Sequence, residues 1–139
     1  MAIREVIFRG KRTDNGKWEC GDLLSPNEFN AIPHIVYIDY LNEYGDIGEI
    51  STPVIPETVG QFTGLVDKNG KRIFEGDIVT GYFNHEKIVG YIFYGGNAQF
   101  FIRRDGIYGI RLDNSDCWLE VIGNIHDNPE LLKVGDNNE

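Results

Sequence analysis

Apolar and polar positions alternate in short bursts along this chain, and Gly, Asn, Asp or Pro interrupts them every few residues. Residues 3–11 read as a strand, Thr13-Asp-Asn-Gly16 as a turn, and residues 17–24 as the returning strand of a hairpin. Trp18, Cys20 and Leu24 share one side of that second strand by their even spacing, which predicts that they face the core. Residues 25–33 form a loop, and residues 35–40 are a compact β-branched and aromatic strand. Residues 41–46 reverse the chain, residues 48–51 return as a short strand, and Thr52 to Pro56 is held extended because each proline restricts the residue before it.

The densest pattern runs from Gly60 to Thr80. Asn69-Gly70 carries the signature of a type I′ turn, whose two central residues both need positive φ, and apolar residues flank it on each side. Strands follow at residues 77–83, 87–94, 98–104, 108–112 and 118–125. Asn84-His85-Glu86, Gly95-Gly96-Asn97, Asp105-Gly106 and Asp113 to Asp116 separate them, all rich in turn-closing residues. Five short antiparallel strands fit a small closed barrel, which removes exposed edges by rolling the sheet up. After Ile125, Asn128 can cap a short helical turn that opens with Pro129, and residues 135–139 are a polar tail of the kind that stays disordered.

Three stretches carry a family resemblance. Arg4, Glu5, Phe8 and Arg9 open the chain in one pattern. Phe62, Thr63, Gly64, Leu65, Asp67, Asn69, Gly70, Ile73, Gly76, Asp77, Ile78 and Val79 form the second. Val121, Ile122, Gly123 and Asn124, followed by Asn128 and Pro129, form the third. In these the chain resembles the YopX-like family of bacteriophage and prophage proteins, and the likeness covers the two ends better than the middle. The resemblance implies an SH3-like barrel in the C-terminal half and brings no established activity. The expected organisation is all-β: an N-terminal β region (1–59) packed on a barrel core (60–134), a short C-terminal helical turn and a tail (135–139), together one structural unit.

Composition supports sheet: the 139 residues include 8 Phe, 7 Tyr, 2 Trp and 17 Gly. A net charge of -9 argues against nonspecific binding to a phosphate backbone. Distribution adds more, since no Lys or Arg occurs between Lys17 and Lys68, where Glu19, Asp22, Glu28, Asp39, Glu43, Asp46, Glu49, Glu57 and Asp67 all fall. No apolar run approaches the roughly 20 residues of a membrane span and the start lacks a signal-peptide layout, so the expected place is the cytoplasm of a bacterial host. In that reducing setting Cys20 and Cys117 read as two small buried side chains, with no Cys-x-x-Cys motif to suggest redox or zinc chemistry.

The sequence points to no catalytic residue, cofactor or metal. Asp67 and Asp77 sit in turn contexts where a carboxylate accepts backbone amides and organises the corner. Gly64, Gly70 and Gly76 lack phosphate-loop spacing, Ser25, Ser51 and Ser115 lack a nucleophile elbow, and His34, His85 and His126 lack metal-ligand spacing. The residues above that carry the resemblance are therefore taken as structural. Arg103, Arg104 and Tyr108 are the candidate interaction surface, and with Phe100 and Phe101 they could bind single-stranded nucleic acid by stacking. Strand alternation sends Phe100 and Phe101 to opposite faces, one of them into the core.

Tyr82, Tyr91 and Tyr108 are available for self-association. The first expectation is a non-enzymatic interaction module with a protein partner, or a homo-oligomer. Behind it stand nucleic-acid binding, an acidic mimic of nucleic acid, and a hydrolase using Asp67, Asp77 and His126.

Overall fold

The computed structural model describes residues 5–96, 98–104, 107–112 and 118–136. These form β1 (Phe8–Lys11), β2 (Trp18–Leu24), β3 (His34–Leu41), β4 (Ile47–Pro53), β5 (Gly60–Val66), β6 (Arg72–Phe74), β7 (Asp77–Phe83), β8 (Glu86–Tyr94), β9 (Phe100–Arg104), β10 (Ile107–Arg111) and β11 (Glu120–Asn124). Every recorded pairing is antiparallel, and 3₁₀ turns at Pro56–Thr58 and Pro129–Asp136 are the helical elements among the described residues. The chain divides within β5 into two compact units, residues 1–61 and 62–139. Cys117, Arg4, Asn97, Asp105-Gly106 and Asp113 to Asp116 lie outside the described residues.

In the first unit the strand order is β4-β3-β2-β1, and the start of β5 pairs with β1 through Phe8↔Gln61 and Arg9↔Gly60. Its buried centre holds Ile35 and Val54. The expected inward side of β2 is reversed here: Cys20 is exposed, Leu24 is nearly half exposed, and Trp18 is only partly covered. The buried side of this ladder is built on glycines. A Cβ on Gly10 would lie 2.9 Å from Val54 Cγ2, and one on Gly21 would lie 2.4 Å from the Val36 carbonyl oxygen. Bare backbone therefore receives the core side chains, and hydropathy alternation registers nothing at those positions. On the opposite side, cations of β1 cover Trp18: Arg9 Cζ stands 4.7 Å and Lys11 Nζ 5.7 Å from the ring centroid.

In the second unit the remainder of β5 pairs with β6, and a five-stranded sheet runs β10-β9-β8-β7-β11. Ile73, Val79, Ile88, Ile92, Ile102 and Leu119 form its core, each burial contributing about 1.5–3 kcal/mol relative to exposure. Alternation works cleanly here. Phe100 and Ile110 pack against the core, while Phe101, one residue on from Phe100, stacks on Phe93 on the other face.

One turn departs from expectation, and the geometry expected there occurs at another. Asn69 is not at positive φ; the hairpin closes on a three-residue loop, Lys68-Asn69-Gly70, in which Gly70 alone is left-handed, at 83°. The primed geometry occurs instead between Phe83 and Glu86, where Asn84 (53°) and His85 (68°) are both left-handed and join a tight two-residue hairpin. At the C-terminus, the Asn128 side-chain carbonyl turns back to accept the amide of Asn124, and its main-chain carbonyl accepts the Leu131 amide at 3.0 Å at the start of the turn that follows. That turn runs to Asp136, so it takes in Gly135 and Asp136, and residues 137–139 lie outside the described residues.

His85 holds a conformation that glycine adopts without steric cost. His85→Gly is expected to stabilise the fold by about 0.5–1 kcal/mol, the relief of left-handed strain exceeding the added chain entropy. Urea denaturation of the two proteins measures it.

Candidate functional site

The residues that carry the resemblance gather where the strands of the second unit are irregular. Asp67 is only 4% exposed, and its carboxylate is filled by backbone donors. Oδ1 accepts the amides of Asn69 and Lys71, both at 2.9 Å, and Oδ2 accepts that of Val121 at 2.9 Å. The first two bonds shape the corner between β5 and β6. The third reaches 54 residues along the chain to β11. Beside it, the Lys68 amide donates to the Leu119 carbonyl at 2.8 Å, so two bonds tie the corner to β11 and the residue that precedes it. β11 needs them because Ile122 is a bulge: Val121 pairs with Val79 and Gly123 with Ile78, leaving one residue over.

The other motif positions act in the same manner. Thr63 donates its hydroxyl to the Ile73 carbonyl at 2.8 Å and accepts the Leu65 amide, spanning Gly64 where the β5–β6 register slips. Asp77 Oδ2 accepts the Phe74 amide at 2.7 Å and fixes the β6–β7 corner. The Gly76 amide donates to Ile92, and its carbonyl receives the Ile125 amide. Asn124 Oδ1 accepts the amides of His126 and Asp127, and Asn128 Oδ1 lies where a Cβ on Gly123 would stand, 2.6 Å away. Phe62, Ile73, Ile78 and Val79 are buried; Pro129 opens the last turn.

Burial alone would raise the Asp67 carboxyl, but the amides of Val121, Lys71 and Asn69 outweigh it and hold the group below the ordinary carboxylate range. Asp67 and Asp77 thus sit in separate corners, each occupied by main chain. Among the described residues, no three His, Cys, Asp or Glu side chains gather as a metal-binding group. No described helix is long and apolar enough to cross a membrane.

Two surfaces remain. The first is the face of β8–β10 that carries Phe101. Register sets Phe93 opposite Phe101 and Tyr91 opposite Arg103. The Phe93 and Phe101 rings stack at 5.4 Å, Tyr91 lies 6.3 Å from Phe93, and Arg103 Cζ stands 5.4 Å from the Phe93 centroid. Arg103 is exposed and Arg104 partly so; Tyr108 belongs to β10, and its side chain lies outside the described residues. Phe93, which completes the row, was reachable from sequence by carrying the odd-numbered face of β8 across to β9.

The second surface is the far end of the β3–β4 hairpin, which sequence reasoning passed over. Residues 38–47 are all exposed, and Ile38, Tyr40, Leu41, Tyr44 and Ile47 are each more than half exposed, Tyr44 at 82%. Large apolar side chains seldom stand exposed in so continuous a run. The sequence signal was present: an aromatic and aliphatic strand in the segment richest in uncompensated carboxylates.

Two antiparallel sheets, polar staples at their irregular corners, an exposed apolar hairpin end and a half-buried aromatic face describe an all-β protein. The family model for "YopX protein" matches residues 7–133, and the chain belongs to the YopX family. Among solved structures it is similar to protein EF1440 from Enterococcus faecalis, at 28% identity and a TM-score of 0.63, covering 92% of this chain and 98% of that one. No curated protein matches it.

Asp67→Asn keeps one acceptor and turns an NH₂ toward a buried N–H. The variant is expected to lose about 2–3 kcal/mol at pH 7. Because the folded carboxyl titrates below its unfolded value of about 3.9, the contribution is complete above that pH and is lost as the pH falls through the folded value, so the gap to wild type narrows only below about pH 4. Denaturant titrations across pH measure both.

Proposed function

We propose that this YopX-family protein is a non-enzymatic protein-interaction module of a phage or other mobile element, working in the cytoplasm of its bacterial host. The observation that carries the reading is the exposed apolar run at residues 38–47, displayed on a hairpin where no core requires it. The engagement of Asp67 and Asp77 by backbone amides supports it, because carboxylates so occupied are ill placed to act as acids or bases. The SH3-like reading of the second unit is part of the proposal. It is supported by one core shared between the β5–β6 ladder and the five-stranded sheet, and by the bonds from Asp67 and Lys68 to β11.

Nucleic-acid binding is the second reading, favoured by the stacked Phe93 and Phe101 rings beneath Arg103. The hydrolase and acidic-mimic readings have no comparable observation behind them.

Immobilised protein is expected to retain a specific protein from infected or lysogenic cells, with at least about a tenfold loss of capture for Tyr40→Ser/Leu41→Ser/Tyr44→Ser. Single-stranded DNA and RNA are titrated alongside. Affinity that falls steeply between about 50 and 200 mM salt and disappears in Arg103→Ala would put the second reading in place of the first.

A further inference from the structure

We propose that the β3–β4 hairpin of one copy seats on the cationic aromatic face of the second unit of another copy, so that the chain associates head to tail. The proposal rests on the interaction-module reading and names its partner.

The hairpin is incomplete by itself. Pairing of β2 with β3 ends at Asp22↔Val36, so among the described residues 37–41 pair with β4 alone, and β4 is an edge strand whose residues 47–52 have no second strand paired to them. A two-stranded ribbon in water is marginal, and one that exposes Ile38, Tyr40, Leu41, Tyr44 and Ile47 gains most from being covered.

Charge selects what covers it. The hairpin bears Asp39, Glu43, Asp46 and Glu49 and no cation. Three basic residues of the first unit are engaged elsewhere: Arg9 and Lys11 lie over Trp18, and Arg12 holds Asp14 at 2.9 Å and Glu19 at 3.0 Å. Two hairpins pairing edge to edge would set like charges together, which opposes a symmetric contact through this element.

The face of β8–β10 has the opposite sign. Lys87, Arg103 and Arg111 stand on it with Tyr91, Phe93 and Phe101, and none of these cations makes an ion pair among the described residues. Glu120, which follows on β11, is held by Lys68 at 3.6 Å. An acidic, apolar ribbon and a basic, aromatic plate are complementary in charge and in surface type, and arginine and aromatic rings are the side chains that anchor protein interfaces.

The test uses sedimentation velocity on the full chain up to about 100 µM, a range that detects affinities of tens of micromolar. Wild type is expected to associate, and more weakly at high salt. Two variants at exposed positions, Tyr40→Ser/Leu41→Ser/Tyr44→Ser and Arg103→Glu/Arg111→Glu, are each expected to be monomeric with unchanged circular dichroism. Glu43→Lys/Glu49→Lys serves as a second hairpin variant. Mixing the hairpin variant with the face variant is expected to restore a one-to-one complex, because one supplies an intact face and the other an intact hairpin.

A wild-type monomer, a hairpin variant that still associates, or a mixture that stays two monomers overturns the proposal. A monomer that nonetheless captures a different protein through the hairpin overturns the second copy alone and leaves the interaction module standing. A monomer that captures none removes both.

Discussion

One carboxylate settles how the second unit can be built. Asp67 accepts three main-chain amides, two from its own corner and one from β11. A buried charge is tolerated only when donors surround it, and here the donors are the amides that the irregular strands would otherwise leave unmet. The bulge at Ile122, the three-residue corner and the bond to Val121 are therefore one device: each makes sense only with the others present. Thr63, Asp77, Asn124 and Asn128 repeat the logic on a smaller scale, each matching a polar side chain to a backbone group displaced from the ladder.

This accounts for the Asp, Asn, Thr and Gly in the motif stretches: their side chains and backbone serve the corners. The pattern specifies corners. Large apolar side chains are laid in water elsewhere, at the end of the β3–β4 hairpin of the first unit.

Much of this was legible in the sequence. Strands β7 to β11 fall where alternation and turn residues put them, because turn-forming residues separate them along the chain and apolar positions recur at even spacing within them. The sense of β2 was not legible, since Gly10 and Gly21 build its buried side and have no side chain to count. The type I′ turn was misplaced for a different reason. Asn69-Gly70 has the composition of a primed turn, but Asp67 draws the Asn69 amide into its own hydrogen bond and leaves positive φ to Gly70 alone, while Asn84-His85 is forced into the primed form by having two residues in which to reverse. The hairpin surface was missed because Ile38 to Leu41 looks like any core strand until one sees that β2 stops short of it.

The stretch without lysine or arginine has an effect beyond electrostatics. Proteases that cut after basic residues find no bond between Trp18 and Asp67, so the most solvent-laid ribbon of the molecule is closed to them even when its two strands part. Enzymes that tag lysine are equally shut out of that whole segment. Exposure, which elsewhere invites cleavage and marking, is in this hairpin chemically silent to both.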